Sequence, residues 1–352
     1  MAKELNIDNH KLIYHPKKVA EWMEKGDCYP VYLEISPTNR CNHRCIFCAY
    51  DFIKRDNSDI GKEIMLKALK DMADNGVKSV MFSGEGESLL HDNICEFIEK
   101  AKKYGLDVSL ATNGSLFNKE KAERCLPYLS WVRFSVDAGT PETYSFIHNT
   151  QKESFNKLIE NIKNAVEIRN KNNFKTTIGV QFLLMPQNSK EVVKFAEIIK
   201  ETGADNIQIK PYSQHPDSIN KFVINYEDYA YLEPEIEKFN SENFTVFFRK
   251  QTMKRAGQEI AYPKCYGLSF FSIIDSKGNV IPCHLFLENP EFIYGNLYEK
   301  SFSEIWQGEK RKQVLEKIMQ RGIKNCKKTC RADAFNQYLY RIKNPEPHDN
   351  FI

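Results

Sequence analysis

The sequence predicts an α/β protein whose core is an open six-stranded (β/α) barrel, followed by a small domain built from a β-hairpin and helices. Six short apolar, β-branched segments recur along the chain, and amphipathic segments of helical period separate them. This alternation is typical of βαβ crossovers and a parallel sheet. The alternating unit takes about 185 residues, whereas a closed eight-stranded barrel needs about 250, so length favours the partial barrel.

The predicted elements of the core follow one another at regular intervals. The six strands are Val31–Ile35, Ser79–Ser83, Asp107–Ala111, Trp131–Val136, Thr176–Leu184 and Asn206–Lys210. The clearest helices between them cover residues 63–74, 93–104, 154–170 and 191–202. Three glycines are placed to end helices, which favours these boundaries: Gly76, Gly105 and Gly203.

Composition excludes several classes of protein. The 352 residues include 50 Lys and Arg against 47 Asp and Glu, for a net charge of +3, so no strong field for nucleic acid is present. No segment approaches the roughly 18 apolar residues of a transmembrane helix. The N-terminal segment lacks the apolar stretch of a signal peptide. We therefore expect a cytoplasmic protein without a nucleic-acid or membrane partner, in which thiols stay reduced.

The first group of cysteines lies directly after the first predicted strand, in the segment Cys41-Asn-His-Arg-Cys45-Ile-Phe-Cys48. Three thiolates at this spacing can bind one metal centre. Structural zinc takes four ligands, whereas an iron–sulfur cubane held by three thiolates leaves one iron open. The carboxyl ends of barrel strands are also where such folds build their sites. The alternative is a zinc knuckle that finds its fourth ligand in His43 or elsewhere.

The second group of cysteines lies in the last quarter of the chain. Cys265 and Cys283 flank a predicted β-hairpin that turns at Asp275–Gly278, and Cys326 and Cys330 follow. Four thiolates make a closed site, suited to zinc or to a fully ligated [4Fe–4S] cluster. We interpret the three other cysteines as small buried hydrophobes: Cys28, Cys95 and Cys125.

The motif Cys41-x₃-Cys45-x₂-Cys48, with Phe47 before its last cysteine, resembles the signature of the radical S-adenosylmethionine (SAM) superfamily. The resemblance implies a [4Fe–4S] cluster whose unique iron binds SAM through its amino and carboxylate groups. It also implies reductive cleavage of SAM to methionine and a 5′-deoxyadenosyl radical, which abstracts a hydrogen from a substrate. A reductant such as flavodoxin or ferredoxin is then expected as a partner.

Other motifs fall where the superfamily places its SAM contacts. The loop Ser83-Gly-Glu-Gly-Glu-Ser88 resembles the family's Gly-Gly-Glu-Pro motif, with Ser88 in place of proline. The resemblance implies these SAM-binding residues: Phe47, Gly84, Gly86, Glu87, Ser88, Asn113, Ser135, Asp137 and Gln181. From the residues alone, Asn113, Ser135 and Asp137 could equally be helix caps or turns. Gln181 could equally be a core glutamine.

The C-terminal cysteines resemble the SPASM and twitch extensions of radical SAM enzymes, whose hairpin motif corresponds to Cys265 followed by Gly278-x₄-Cys283. A full SPASM domain has seven cysteines and two auxiliary clusters, so four cysteines resemble a variant with a single auxiliary [4Fe–4S] cluster. The expected domains are an N-terminal extension (1–30), a radical SAM core (31–220), a linker or helical segment (221–260) and a SPASM/twitch-like auxiliary domain (261–352).

These expectations define three functional hypotheses. The first is a radical SAM oxidoreductase that dehydrogenates a small polar substrate such as a sugar, a cyclitol or a nucleotide-linked sugar, with the auxiliary cluster as electron acceptor. The second is a peptide or protein maturase, which the short segment before the first strand disfavours. The third is a non-enzymatic, zinc-stabilised binding module.

Polar residues near the strand ends are candidates for contact with the substrate. The turn Lys210-Pro-Tyr-Ser-Gln-His215 is predicted to open at the barrel mouth, where Lys210, Tyr212, Gln214 and His215 could contact an anionic or polyhydroxyl substrate. The candidates for acid or base catalysis are Tyr212, His215 and Arg133.

Overall fold

The structure is a computed structural model that describes residues 9–351. The first eight residues of the expected N-terminal extension, and Ile352, lie outside the described residues. One sheet contains ten strands: β1 (Tyr32–Ile35), β2 (Ser79–Phe82), β3 (Asp107–Thr112), β4 (Trp131–Ser135), β5 (Thr177–Leu184), β6 (Asn206–Pro211), β7 (Thr245–Phe248), β8 (Phe271–Ile274), β9 (Asn279–Ile281) and β10 (Gly295–Asn296).

Twelve α-helices accompany the sheet in the described part of the chain. They are α1 (Pro16–Lys25), α2 (Lys62–Asp74), α3 (Ile94–Lys103), α4 (Lys119–Cys125), α5 (Pro141–His148), α6 (Glu153–Lys171), α7 (Val192–Glu201), α8 (Leu232–Glu237), α9 (Lys250–Ala256), α10 (Phe302–Gln307), α11 (Glu309–Arg321) and α12 (Asp333–Lys343). Within residues 9–351, none of these helices is long and apolar enough to cross a membrane.

The sheet confirms the predicted α/β core. Strands β1 to β6 match the six predicted strands within two residues and pair in parallel, in sequence order. The glycines predicted to end helices have left-handed backbones, with φ of 81° at Gly76, 94° at Gly105 and 77° at Gly203. Each lies at the end of a helix that precedes the next strand, where residues with a side chain would be strained.

The sheet extends beyond the six predicted strands at both edges. Strand β7 pairs in parallel with β6, so the segment 221–260, expected to be a linker or helical, contributes a seventh parallel strand. Four residues are too few for periodicity to distinguish a strand from a helix turn. At the opposite edge, β8 pairs in parallel with β1, and β8 with β9 forms the predicted hairpin. The hairpin of the expected auxiliary domain therefore continues the sheet of the core.

Successive strand residues point to opposite faces of this curved sheet. Residues such as Leu33, Leu110, Phe134 and Ile207 are fully buried in the main apolar core, on the face that packs against the helices. Burying each such side chain contributes about 1.5–3 kcal/mol. The residues between them point to the inner face, which leaves the interior of the partial barrel available to polar side chains.

Candidate active site

The loop between β1 and α2 brings together three half-buried thiols. Cys41 and Cys48 accept hydrogen bonds from the backbone N–H groups of His43 and Tyr50, respectively. Burial raises the pKa of the Cys41, Cys45 and Cys48 thiols. Because burial disfavours a bare thiolate, a positively charged metal group is needed to hold three thiolates here.

Two side chains from outside the motif contact these thiols. His148, the last residue of α5, lies with Nδ1 3.1 Å from Cys45 Sγ and with Nε2 3.0 Å from the Val136 carbonyl oxygen. Arg55 directs Nη2 at Cys48 Sγ, at 3.7 Å. Sequence analysis missed both residues, and His148 follows Cys45 by 103 positions without a local signal of its own. Such contacts orient ligands and tune a metal site.

The spacing of the thiols tests which metal group they fit. A tetrahedral zinc with Zn–S bonds of 2.3 Å would place its sulfurs roughly 3.8 Å apart. Among residues 9–351, no three cysteine sulfurs lie mutually within 4.8 Å of one another. The three possible ligands whose atoms do lie within 4.8 Å of one another are His43, Cys45 and His148. This set includes only one cysteine of the motif. The thiol spacing therefore fits a larger, multi-iron group better than a single zinc ion.

The loop after β2 packs directly against the cysteine loop. A Cβ atom at Gly86 would lie 2.2 Å from the Arg40 carbonyl oxygen, which also accepts from the Glu87 N–H at 2.8 Å. Gly84 has a φ of 115°, and a Cβ atom there would lie 1.9 Å from Ser36 Oγ. Only glycine satisfies both constraints, so these two glycines set the close approach of the two loops.

Glu87, in the loop after β2, forms hydrogen bonds with the end of β3. Its buried carboxylate accepts from Thr112 Oγ1 at 2.6 Å, from the Asn113 N–H at 2.8 Å and from the Leu89 N–H at 3.1 Å. Burial raises the pKa of this carboxyl group, and the hydrogen bonds oppose that effect. Glu87 therefore acts on the site by positioning Asn113. The adjacent Ser88 is buried, and its Oγ has no hydrogen-bond partner among the described residues.

Asn113 joins the cysteine loop to β3. Its Nδ2 donates to Asn42 Oδ1 at 2.8 Å, and its Oδ1 accepts from Ser115 Oγ at 2.7 Å. On the next two strands, Gln181 Nε2 donates to Ser135 Oγ at 3.3 Å. Asn113 and Ser135 thus lie at the carboxyl ends of β3 and β4, Gln181 lies beside Ser135 in the middle of β5, and all three side chains are half-exposed.

Asp137 and Phe47 pack around His148. Asp137 has a positive φ of 59°, accepts from the Leu183 N–H at 2.6 Å, and places Oδ2 3.8 Å from His148 Nε2. Burial raises the pKa of the Asp137 carboxyl group. Phe47 contacts the His148 ring edge-on, at 5.2 Å between centroids. The structure therefore places these two predicted cofactor-binding residues beside the thiol of Cys45.

The three candidates for acid or base catalysis have different surroundings. Arg133 points to the barrel interior, whereas Tyr212 is buried and packs edge-on against Phe222 at 5.3 Å. His215 is fully buried and stacks on Phe52 at 4.3 Å. One His215 nitrogen lies 3.0 Å from the backbone oxygen of residue 284, and the other accepts a backbone N–H at 3.1 Å. That leaves no free nitrogen for a substrate, so His215 positions the loop instead.

The four C-terminal thiols form the second predicted centre. Cys265, Cys283, Cys326 and Cys330 are all half-buried, and burial together with the neighbouring thiols raises the pKa of the Cys265 thiol. Asn336 Nδ2 donates to Cys265 Sγ at 3.6 Å. Cys265, Cys283 and Cys326 line a small cavity together with four apolar residues, Leu268, Leu285, Phe286 and Ile318, and with Arg321, Gly322 and Asn325. Cys330 is close enough to act electrostatically on the Cys265 thiol. Four neighbouring thiols can complete the coordination of a closed, fully ligated cluster.

The core and the C-terminal segment meet at Glu34, which points into the barrel from β1. Its carboxylate pairs with Arg331, lies 3.2 Å from His284 Nε2 and accepts from Ser83 Oγ at 2.7 Å. Although burial opposes the effect, Arg331 and His284 hold the pKa of this carboxyl group well below its ordinary value. Tyr50, close to the first cysteine group, hydrogen-bonds His284 at 2.7 Å. The two candidate metal sites are therefore joined by a buried polar network.

Comparison with known protein families agrees with this geometry. Residues 35–209 match the radical SAM superfamily, so the chain belongs to that superfamily. Residues 265–331 match the iron–sulfur cluster-binding domain called SPASM, so the chain is a radical SAM enzyme with a C-terminal SPASM domain. These domains imply SAM and [4Fe–4S] clusters as cofactors. The family assignment overturns the hypothesis of a non-enzymatic zinc-stabilised module.

Two of the similar curated proteins share one name. A protein of Saccharolobus islandicus named probable GTP 3′,8-cyclase is 30% identical over 210 residues, which cover 59% of this chain and 65% of that protein. A protein of the same name from Methanothermobacter marburgensis is 37% identical over 137 residues, 39% of this chain and 44% of that protein. The matches thus span less than two thirds of the length of these relatives.

Two solved structures resemble the fold. SuiB of Streptococcus suis, bound to its precursor peptide SuiA, has a TM-score of 0.67 at 19% identity, covering 85% of this chain and 70% of its own. The protein anSMEcpe with bound AdoMet has a TM-score of 0.59 at 17% identity, covering 88% of this chain and 92% of its own. At these identities the likeness establishes the fold alone.

Proposed function

We propose that this enzyme removes a hydrogen atom from a carbon of a small polar molecule, such as a sugar, a cyclitol or a nucleotide-linked sugar, in a net oxidation. The observation that carries the proposal is the polar interior of the barrel. The inner face presents Arg133 on β4 and Gln208 and Lys210 on β6, the two strands that flank β5, and an apolar substrate would find no matching surface there. A small hydroxylated or charged molecule can replace the water that such groups would otherwise bind.

We propose that the two cysteine groups hold the two clusters. Cys41, Cys45 and Cys48 leave one iron for SAM, whereas Cys265, Cys283, Cys326 and Cys330 complete the coordination of the second cluster. When bound, the first cluster would supply the electron that cleaves SAM to methionine and a 5′-deoxyadenosyl radical, and the second cluster would accept an electron.

The protein's own residues prepare this site. Asn113 and Ser135 at strand ends, with Gln181 beside Ser135 on β5, offer half-exposed polar groups to SAM, and Glu87 fixes Asn113 through its backbone N–H. Phe47, Gly84, Gly86, Ser88 and Asp137 complete the proposed SAM-binding set. The SPASM hairpin lies against the core, because Glu85 accepts from the Ser276 N–H at 3.2 Å. This contact helps to exclude water from one side of the barrel mouth.

A peptide substrate is the second candidate. It is favoured by the fold of SuiB, whose structure holds a precursor peptide, and of anSMEcpe, which has been solved with bound peptides. The relatives named probable GTP 3′,8-cyclase favour a small molecule instead. Because the matches cover only part of those relatives, their name supports a class of substrate and not GTP itself.

Deuterium transfer distinguishes these substrates. Reconstituted enzyme is reduced without oxygen in the presence of SAM and deuterated sugars, cyclitols, nucleotide sugars or peptides, and 5′-deoxyadenosine is analysed by mass spectrometry. We expect 5′-deoxyadenosine to acquire deuterium from one of the small molecules, whereas deuterium transfer from peptides alone would overturn the proposal. Cys41→Ala should yield no 5′-deoxyadenosine, since it removes a cluster ligand. Cys95→Ala, a buried cysteine outside both groups, is the matched control and should yield normal amounts.

A further inference from the structure

Arg133 reaches across the interior of the barrel from β4 to β6. Its partner on the intervening strand β5 is Gly179, where a Cβ atom would lie 2.8 Å from Asn206 Oδ1. With the Gln208 amide oriented so that its oxygen faces the guanidinium, Arg133 Nε and Nη2 donate to this oxygen at 3.2 and 2.8 Å. The ring of Trp131 lies 4.5 Å from the guanidinium carbon. These contacts hold the guanidinium in place but neutralise none of its charge.

Lys210 adds a second cation on the same face. It follows Gln208 by two positions on β6, so both side chains point to the interior. Burial lowers the pKa of the Lys210 ammonium, and the nearby Arg133, Arg249 and Arg331 lower it further. In the described part of the chain, no hydrogen bond or ion pair involves this ammonium group.

Among the described residues, no carboxylate forms an ion pair with Arg133 or Lys210. Arg249 follows β7 and Arg331 comes from the SPASM domain, and both act electrostatically on Lys210. Glu34 is already paired with Arg331. No carboxylate of residues 9–351 lies within 4.0 Å of a charged nitrogen of Arg133 or Lys210. Both side chains are only partly buried, so an anion that enters this space can form charge-assisted hydrogen bonds with them without breaking an ion pair.

Asp137 does not supply the missing charge. Lys210 acts on this carboxyl group electrostatically, but the two form no ion pair. Asp137 Oδ1 accepts from the Leu183 N–H at 2.6 Å, and Oδ2, which has no hydrogen-bond partner among the described residues, lies 3.8 Å from His148 Nε2. Its burial also favours the neutral acid over the carboxylate. Asp137 thus leaves the Lys210 ammonium group without a direct ion-pair partner.

We propose that Arg133 and Lys210 bind an anionic group of the substrate, a phosphate or a carboxylate, inside the barrel. This inference rests on the proposed function and deepens it, because it names the chemical class of the small polar substrate. A planar guanidinium and an ammonium group both bind these oxyanions through charge-assisted hydrogen bonds. Arg133 lies opposite Gly179 on β5, and Lys210 lies opposite Leu183 of the same strand, so both cations belong to the inner face at different heights along it.

Calorimetry on the cluster-loaded enzyme with SAM tests this site. The probes are inorganic phosphate and pyrophosphate in one arm, acetate and succinate in a second, and neutral inositol as the uncharged control, at constant ionic strength. Wild-type enzyme should bind the anions of one arm and not inositol, and the arm that binds identifies the phosphate or carboxylate class. Lys210→Met and Arg133→Gln should each weaken binding at least about tenfold.

Matched substitutions outside the barrel distinguish anion binding at a specific site from a general effect of the protein's positive charge. Lys163→Met on α6 and Arg124→Gln on α4 remove exposed cations and should leave anion affinity unchanged. Lys210→Arg keeps the positive charge and should keep the affinity for anions. This variant tests the role of the charge even if Lys210→Met fails to fold. Wild-type enzyme that binds neither anion series, or barrel variants no weaker than the surface variants, would overturn the inference.

The failure of this inference can be distinguished from the failure of the proposed function. Reduced wild-type enzyme with SAM alone should release 5′-deoxyadenosine, which requires no anion. If it releases none, the proposed function fails. If it releases 5′-deoxyadenosine while no anion binds, only the anion site is refuted.

Discussion

Two glutamates stand two positions apart in the loop after β2, and their surroundings give them different roles. Glu87 is held by three hydrogen bonds at the end of β3, whereas Glu85 faces the SPASM hairpin and accepts from the Ser276 N–H at 3.2 Å. Burial raises the pKa of Glu85 from 4.5 to about 7, and the nearby Asp275 adds to the effect. A carboxyl group at this junction therefore changes charge near neutral pH.

Glu85→Gln should make stability less sensitive to pH. Glu85 binds a proton more tightly in the folded state, so its destabilising effect is absent below pH 4.5, appears as pH rises, and is complete above about 7. Glutamine has no charge to bury. The variant should gain stability over wild type between pH 5 and pH 8, by at most about 3 kcal/mol. Thermal unfolding of the holoprotein at both pH values measures this difference.

Glu123→Gln on the exposed surface of α4 is the control for that experiment, and its effect should be the same at both pH values. Equal stability changes for Glu85→Gln at pH 5 and pH 8 would contradict the raised pKa of Glu85.

The sequence could predict this loop and its glycines, because a close backbone approach leaves a glycine motif. It could not predict Glu85 as the junction residue, since its partner Ser276 is 191 positions away.

At the scale of elements, local sequence pattern explains β1 to β6 and their helices, because each strand is bounded by turns and followed by an amphipathic segment. The pairing of β8 with β1 has no such signal, since it joins segments more than two hundred residues apart.

The position of α11 also has no local signal in the sequence. This helix contacts the N-terminal part of the chain through Arg311. This residue is 1% exposed, donates to Asp27 Oδ1 at 2.9 Å and to the Trp306 carbonyl at 3.0 Å, and lies 3.7 Å from the centroid of the Trp306 ring.

Arg311→Met should loosen α11 from the N-terminal part of the chain. The substitution keeps the length of the side chain but removes the charged hydrogen bonds to Asp27, at a cost of about 2 kcal/mol. Amide hydrogen exchange across Glu309–Arg321 should become faster, while exchange in β2 to β4 stays the same. Lys312→Met, at the exposed neighbouring position, should leave exchange unchanged. Unaltered protection of α11 in Arg311→Met would show that this pairing does not hold the helix.

The whole molecule joins two cysteine-rich centres through one sheet. The cysteine spacings predict both centres from sequence, since each group is compact and each spacing is specific. The contacts between the centres, Tyr50 with His284 at 2.7 Å and Glu34 with Arg331, depend on how the hairpin packs and could not be read from spacing. His148 and Arg55 escaped prediction for the same reason, because only folding brings them to the thiols.

Iron content tests whether the two centres assemble independently. Two [4Fe–4S] clusters give about eight iron and eight sulfide per chain. Each cysteine group comes from its own segment, and the network between them contains no cysteine ligand. Cys41→Ala and Cys265→Ala should therefore each retain about four iron, one cluster's worth. Cys95→Ala should retain the full iron content of both clusters. Loss of both clusters in either variant would show that the buried contacts at Glu34 and His284 make the two sites a single folding unit.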